Sequence, residues 1–147
     1  MFFLSQSIYA FLSTIGFAVL FNIPKGSIIK SGFIGGIGWF VFLGVDSLSD
    51  SKMAGAFFAA VTVGVLGEFF ARFFKKPATV FIIPGIIPLV PGAGMYDTML
   101  AVIEKKFLTA IDIGAETIFI ALSIASGIVI SSSFSRILKK RRRKLLK

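Results

Sequence analysis

The sequence predicts an all-α, polytopic membrane protein: a bundle of about five transmembrane helices with a fourth span broken by proline and glycine. Three observations predict it. The 147 residues are 56% hydrophobic with a mean hydropathy of +0.92, and only 16% are charged, too little charge to cover a soluble domain of this size. The apolar residues come in blocks of about 20, the length that crosses a bilayer core. The basic residues gather in alternate connections between those blocks, as they do when one side of a membrane retains them.

The first span runs from about Phe2 to Phe21 and is ended by Asn22 and Pro24. No basic stretch precedes its long apolar run, so it reads as a retained span and not as a cleaved signal. The second covers about Ile28–Val45 and the third about Met53–Phe74. The fourth, about Thr79–Met99, holds the breakers. The fifth covers about Ile113–Phe134, with Asp112 placed to cap its N-terminus. Residues 1–135 form the transmembrane domain and residues 136–147 a basic cytoplasmic tail. Small residues recur every four positions: Gly32 and Gly36; Ala56, Ala60 and Gly64; Gly67 and Ala71; Ser123, Gly127, Ser131 and Ser135. That spacing makes one close-packing face per helix, used within the chain or against a second subunit.

Lys25, Lys30, Arg72, Lys75, Lys76 and the basic residues from Arg136 onward fall on one side; Lys52, Lys105 and Lys106 fall on the other. The basic side is expected to be cytoplasmic, which places the N-terminus outside, the C-terminus inside, and the chain in the cell inner membrane. This arrangement requires the fourth span to cross. The tail RILKKRRRKLLK follows a span directly, so anionic lipid is its expected partner and not nucleic acid.

Cysteine and histidine are both absent, which excludes disulfides, thiol chemistry, histidine metal sites and histidine-based catalysis. GIGWF and GAGMY lack the further glycine of a dinucleotide site. No enzyme activity, metal or cofactor is expected.

The stretch PGIIPLVPGAGMYD, residues 84–97, carries the chemistry. Pro84, Pro88 and Pro91 each remove an N–H and orphan a carbonyl one turn back. Gly85, Gly92 and Gly94 loosen the backbone further. Lipid cannot satisfy orphaned carbonyls, so such a break must be buried in protein or line a watery cavity. Tyr96, Asp97 and Thr98 follow with a phenol, a carboxylate and a hydroxyl. A broken helix beside a carboxylate is an arrangement that transporters use to hold small charged solutes. These nine residues are the candidate substrate pathway. In the competing reading the span is merely kinked, and Asp97 caps a short amphipathic helix from Thr98 to about Ala110. Asp97, Glu68 and Glu116 are the candidates for ion coupling. Glu68 lies one turn before Arg72, where a salt bridge is expected. Glu116 lies in the first turn of the expected fifth helix, where the dipole favours an acid, and could face Asp97.

PGIIPLVPGAGMYDTM resembles the threonine/serine exporter family, in particular a short five-span subunit similar to the C-terminal half of longer fused members. The resemblance rests on the PGxxPLVPGxGxY run, on GAET at the start of span five, on the order of spans and on length; it covers essentially the whole chain. It implies a half-transporter that assembles with a second membrane subunit similar to the family's N-terminal half, in a homo- or hetero-oligomer. Export of threonine and serine is the leading expectation. A dicarboxylate (succinate) exporter subunit is the alternative, with Arg72 or a partner residue as the second cationic contact; a non-transporting scaffold is the third.

Overall fold

The computed structural model describes residues 2–145, with side chains through residue 133. Helices α1 (Phe2–Leu20), α2 (Lys25–Ser49) and α3 (Lys52–Phe73) come first. A short α4 (Thr79–Ile86) leads through a 3-10 turn (Ile87–Leu89) into α5 (Gly92–Ile103), and α6 (Phe107–Leu145) completes the chain. The fold is all-helical, as expected.

Helix ends follow local chemistry. At the ends of α1, α3 and α5, residues Asn22, Lys75 and Lys105 take left-handed φ values of 52°, 53° and 59°. In each case the next N–H bonds back to an unpaired carbonyl: Ile23 to Ala18, Lys76 to Ala71 and Lys106 to Ala101, at 2.8–3.0 Å. This is the Schellman closure, and only the first has a residue, Asn, that suits it. Ser51 caps α3 through the Ala54 N–H. At the tip between α5 and α6, Lys106 lies 2.8 Å from Glu104. The hydrogen bond first, then the charge, raises the Lys106 pKa above its ordinary value.

Helix α3 is central. It supplies Ala56, Ala59, Ala60, Val63 and Ala71 to a core completed by Ile34, Phe81, Leu89 and Ile124. Small residues let its neighbours approach. A methyl on Gly127 of α6 would lie 2.8 Å from the Phe57 carbonyl oxygen and 2.9 Å from Ala60 Cβ. One on Gly32 or Gly36 would meet Phe11 of α1, and one on Gly67 would meet Ile82 of α4. These small-residue faces are therefore occupied within the chain. Four of the contacts share one design, in which a hydroxyl side chain seats against a glycine of the facing helix: Thr14 on Gly35, Ser131 on Gly64, Thr117 on Gly94 and Thr98 on Gly114. Each hydroxyl also bonds a carbonyl of its own helix at 2.6–2.9 Å. A polar atom is thereby buried with its hydrogen bond already made.

The pairings fix direction. Gly64 meets Ser131, and Ala60 meets Gly127, so α3 and α6 are parallel. Ser31 meets Val80, and Ile34 meets Gly85, so α2 and α4 are parallel. Gly94 meets Thr117, and Thr98 meets Gly114, so α5 and α6 are antiparallel. Since α3 ends where α4 begins and α6 starts at the end where α3 starts, the chain must cross between Thr79 and Phe107. The α4–α5 pair, bent by 49°, is a broken crossing and not a re-entrant loop. It makes the fifth span. The connections holding Lys25, Arg72, Lys75 and Lys76 share one end, where Lys30 lies 3.6 Å over the Phe74 ring.

Charged residues stand near both ends of α3. Lys52, the first residue of α3, bonds Glu116 of α6 at 3.0 Å. Arg72 lies about 30 Å further along α3 at 1.5 Å per residue. That is the thickness of a hydrocarbon core.

Candidate functional site: the broken crossing helix

Each proline in the break leaves one carbonyl without its helical donor, and the structure finds a donor for all three. Pro84 orphans the Val80 carbonyl; the Ser31 hydroxyl of α2 donates to it at 3.2 Å. Pro88 orphans the Pro84 carbonyl, which accepts the Ile87 N–H. Pro91 orphans the Ile87 carbonyl, which accepts the Val90 N–H at 3.1 Å. The latter two are the tighter i to i+3 bonds of a 3-10 turn. Of the two sites open to such a break, buried protein or a watery cavity, Pro84 and Gly85 occupy the first: both are buried between α2 and α3. A methyl on Gly85 would lie 3.0 Å from Val63 and 3.1 Å from Ile34.

The candidate pathway residues divide into two groups. Pro84 and Gly85 are buried, and Pro88 and Pro91 are half-buried, near Phe81 and Leu89 of the core. Beyond Pro91 the surface opens. Gly92, Tyr96 and Asp97 are exposed, with Tyr96 at 68%, and no neighbour would touch a methyl on Gly92. Gly94 and Thr98 are half-buried against α6. Val90 is extended, with ψ of 126°, and Pro91, at φ −76° and ψ 59°, sits at the centre of a tight turn that the Gly92 N–H closes onto the Val90 carbonyl at 2.7 Å. Gly94 already sits beside Thr117. Asp97 therefore lies toward the end of the crossing opposite Arg72 and Lys75, past the level of the Lys52–Glu116 pair, and not at the depth of the prolines. Among the described residues it has no hydrogen bond or ion pair.

Two helix-start assignments are corrected, and the competing reading of Asp97 as a cap is excluded. Helix α5 begins at Gly92 with Pro91 before it, so Asp97 is an interior residue and caps nothing. Helix α6 begins at Phe107, so Asp112 is not its cap and Glu116 is not in its first turn. The physical reason is continuity of helical contact: the small-residue face of Ala110, Gly114 and Thr117 runs against α5 and carries α6 back past the expected start. The coupling candidates are also separated. Glu116 is 100° around the helix from Thr117, off the α5-facing stripe, and bonds Lys52. Glu68 lies 4.0 Å from Arg72, the expected i,i+4 pair. Tyr96, Asp97 and Thr98 point in three directions on one helix, and the Thr98 hydroxyl is committed to the Gly94 carbonyl at 2.6 Å.

Ser31 and Lys52 were missed from sequence. Proline arithmetic does identify Val80 as a carbonyl in need of a donor. It does not identify which helix supplies one. The contacts of the tail from Arg136 onward lie outside the described side chains, although the helix itself continues unbroken to Leu145.

A family model described as Threonine/Serine exporter, ThrE, matches residues 6–134. The chain belongs to this family. The match spans all five crossings and the whole Pro/Gly break. The threonine/serine exporter family is one of transporters, and this member is a multi-pass membrane protein of that family. No solved structure matches the chain.

Proposed function

We propose that this chain is one subunit of a secondary exporter of small polar metabolites, threonine and serine foremost, in the cell inner membrane with its basic end cytoplasmic. The observation that carries the reading is the broken crossing: in a member of an exporter family, the first half of the interrupted span is buried between α2 and α3 and its second half carries an unpaired carboxylate to the mouth opposite the basic end. The prolines have their carbonyls satisfied, so their role is to shape and turn the crossing. Solute contact is assigned to the outer segment, where Asp97 is free to meet an ammonium group or to carry a coupling proton. Glu68 and Glu116, each held by a cation, are secondary candidates.

A second membrane subunit, similar to the family's N-terminal half, would complete the pathway, and the basic tail would hold anionic lipid. Arg72 supports the dicarboxylate alternative poorly, because Glu68 already faces it. The test is efflux from threonine-loaded cells or vesicles. Asp97→Asn should abolish efflux while the protein remains inserted; normal efflux would remove Asp97 from the mechanism. Competition by succinate and not by threonine would transfer the assignment to a dicarboxylate.

A further inference from the structure

Two helices begin at the basic end without a cap. Pro24 precedes α2 and Ala78 precedes α4, and neither makes a side-chain cap. Each helix therefore turns unsatisfied N–H groups and the positive end of its dipole toward that end. The two helices are parallel, and the Ser31 hydroxyl reaches the Val80 carbonyl, so α4 begins about level with Lys30 of α2. Ser27 lies on the same side of α2 as Ser31, about 6 Å closer to the basic end, which sets it over the start of α4. Ser27 is 1% exposed and its hydroxyl has no hydrogen-bond partner. The other buried hydroxyls described, Thr14, Ser31, Thr117 and Ser131, all donate to a carbonyl.

A buried hydroxyl is ordinarily paired, and this one stands where two helix starts offer donors and positive charge. The Lys30 ammonium is fixed beside it, 3.6 Å over the ring of Phe74 in the α3–α4 connection. Residues 21–45 and 69–96 contain no Asp or Glu, so no carboxylate of these segments fills the site. Nothing lies within 4 Å of a methyl placed on Gly26, which leaves room at the first turn of α2. We propose that this cradle binds the carboxylate of the exported amino acid as it enters from the basic end. The inference rests on the exporter reading and gives it an entrance, at the opposite end of the crossing from Asp97. Helix-start N–H groups, a hydroxyl and an ammonium select an anionic oxygen group over a cation. Lys30 holds α2 against the connection through Phe74; the carboxylate enters as that contact opens, and the freed ammonium pairs with it.

The chain has no cysteine, so Gly26→Cys places a single reactive thiol at the entrance. In isolated membranes, threonine should slow its labelling by N-ethylmaleimide, and threoninol, which lacks the carboxylate, should not. Adding Ser27→Ala should raise the threonine concentration for half-protection about ten-fold, the loss expected for one hydrogen bond to a charged group. Lys30→Gln should do the same, while Lys75→Gln, at an exposed lysine of the same end, should leave protection intact. Because Ser27→Ala deletes a hydroxyl that bonds nothing, the thermal unfolding midpoint of the purified chain should stay level or rise; a purely structural serine would lower it. The proposal is overturned by labelling indifferent to threonine, by equal protection from threoninol, or by half-protection that Ser27→Ala leaves unchanged. It is also overturned if Ser27→Ala alters only the anionic phospholipid that co-purifies, which would make the site a lipid contact. Transport without protection removes this entrance and leaves the exporter reading standing; protection without transport does the reverse.

Discussion

Ser31 is the residue on which the broken helix depends most directly. Its single hydroxyl proton is shared between two carbonyls, that of Ser27 within α2 at 3.0 Å and that of Val80, which Pro84 has orphaned, at 3.2 Å. Removing it leaves a buried carbonyl unpaired, at a cost of about 1–3 kcal/mol. Ser31→Ala should therefore lower stability by that amount in denaturant unfolding of the detergent-solubilised protein. The partner mutation supplies a check. Pro84→Ala restores a backbone N–H at position 84 as an alternative donor, so the double variant should be less unstable than the two single changes summed; strict additivity would separate Ser31 from Pro84. The left-handed residues supply an opposite case. Lys105 sits at a φ of 59° at an exposed tip, where a side chain costs energy that glycine does not. Lys105→Gly should raise stability by about 0.5–1 kcal/mol, visible as a higher midpoint in thermal unfolding.

At the scale of the element, the parallel pair α3–α6 depends on closeness that only glycine permits. Gly127→Ala brings a methyl against the Phe57 carbonyl and Ala60, both on the rigid face of α3. The expected loss is about 1–3 kcal/mol from forced separation. Gly44→Ala in α2 is the contrasting change, since nothing lies within 4 Å of the added carbon; helix propensity alone should stabilise it by about 0.5–1 kcal/mol. If both variants shifted the unfolding midpoint equally, close approach would not be what holds α6. The elements also show how much was legible in the sequence. Helices α1, α2 and α3 begin and end within a few residues of their expected bounds, because apolar blocks of bilayer length have little alternative. The start of α6 was misplaced, and a start of α5 at Thr98 stood as the competing reading, because Asp112 and Asp97 resemble caps locally while the seam from Gly94 to Ala101 against Ala110 to Thr117 extends both helices past them.

For the whole molecule, the decisive feature is the offset between the bundle and the α5–α6 hairpin. The Lys52–Glu116 pair marks one boundary, and Asp97 lies beyond it. A single cysteine in place of Asp97 should react with a membrane-impermeant maleimide applied to intact cells, whereas one in place of Lys75, at the basic end, should react only after permeabilisation. The reverse pattern would invert the proposed orientation. No reaction at position 97 in either condition would place the hairpin within the membrane or under a partner.

Composition and spacing alone determined the class, the number of crossings and the position of the break, because a bilayer imposes a length on apolar runs and prolines remove hydrogen bonds wherever they stand. The tertiary structure decided three further things. It supplied Ser31, an N–H from Ile87 and an N–H from Val90 to the orphaned carbonyls. It paired Glu116 with Lys52 and Glu68 with Arg72. It carried Asp97 out of the bundle to the mouth of the crossing. Each of these depends on which helix lies beside which and at what height, and such relations are settled by the packing of small residues between helices distant in sequence.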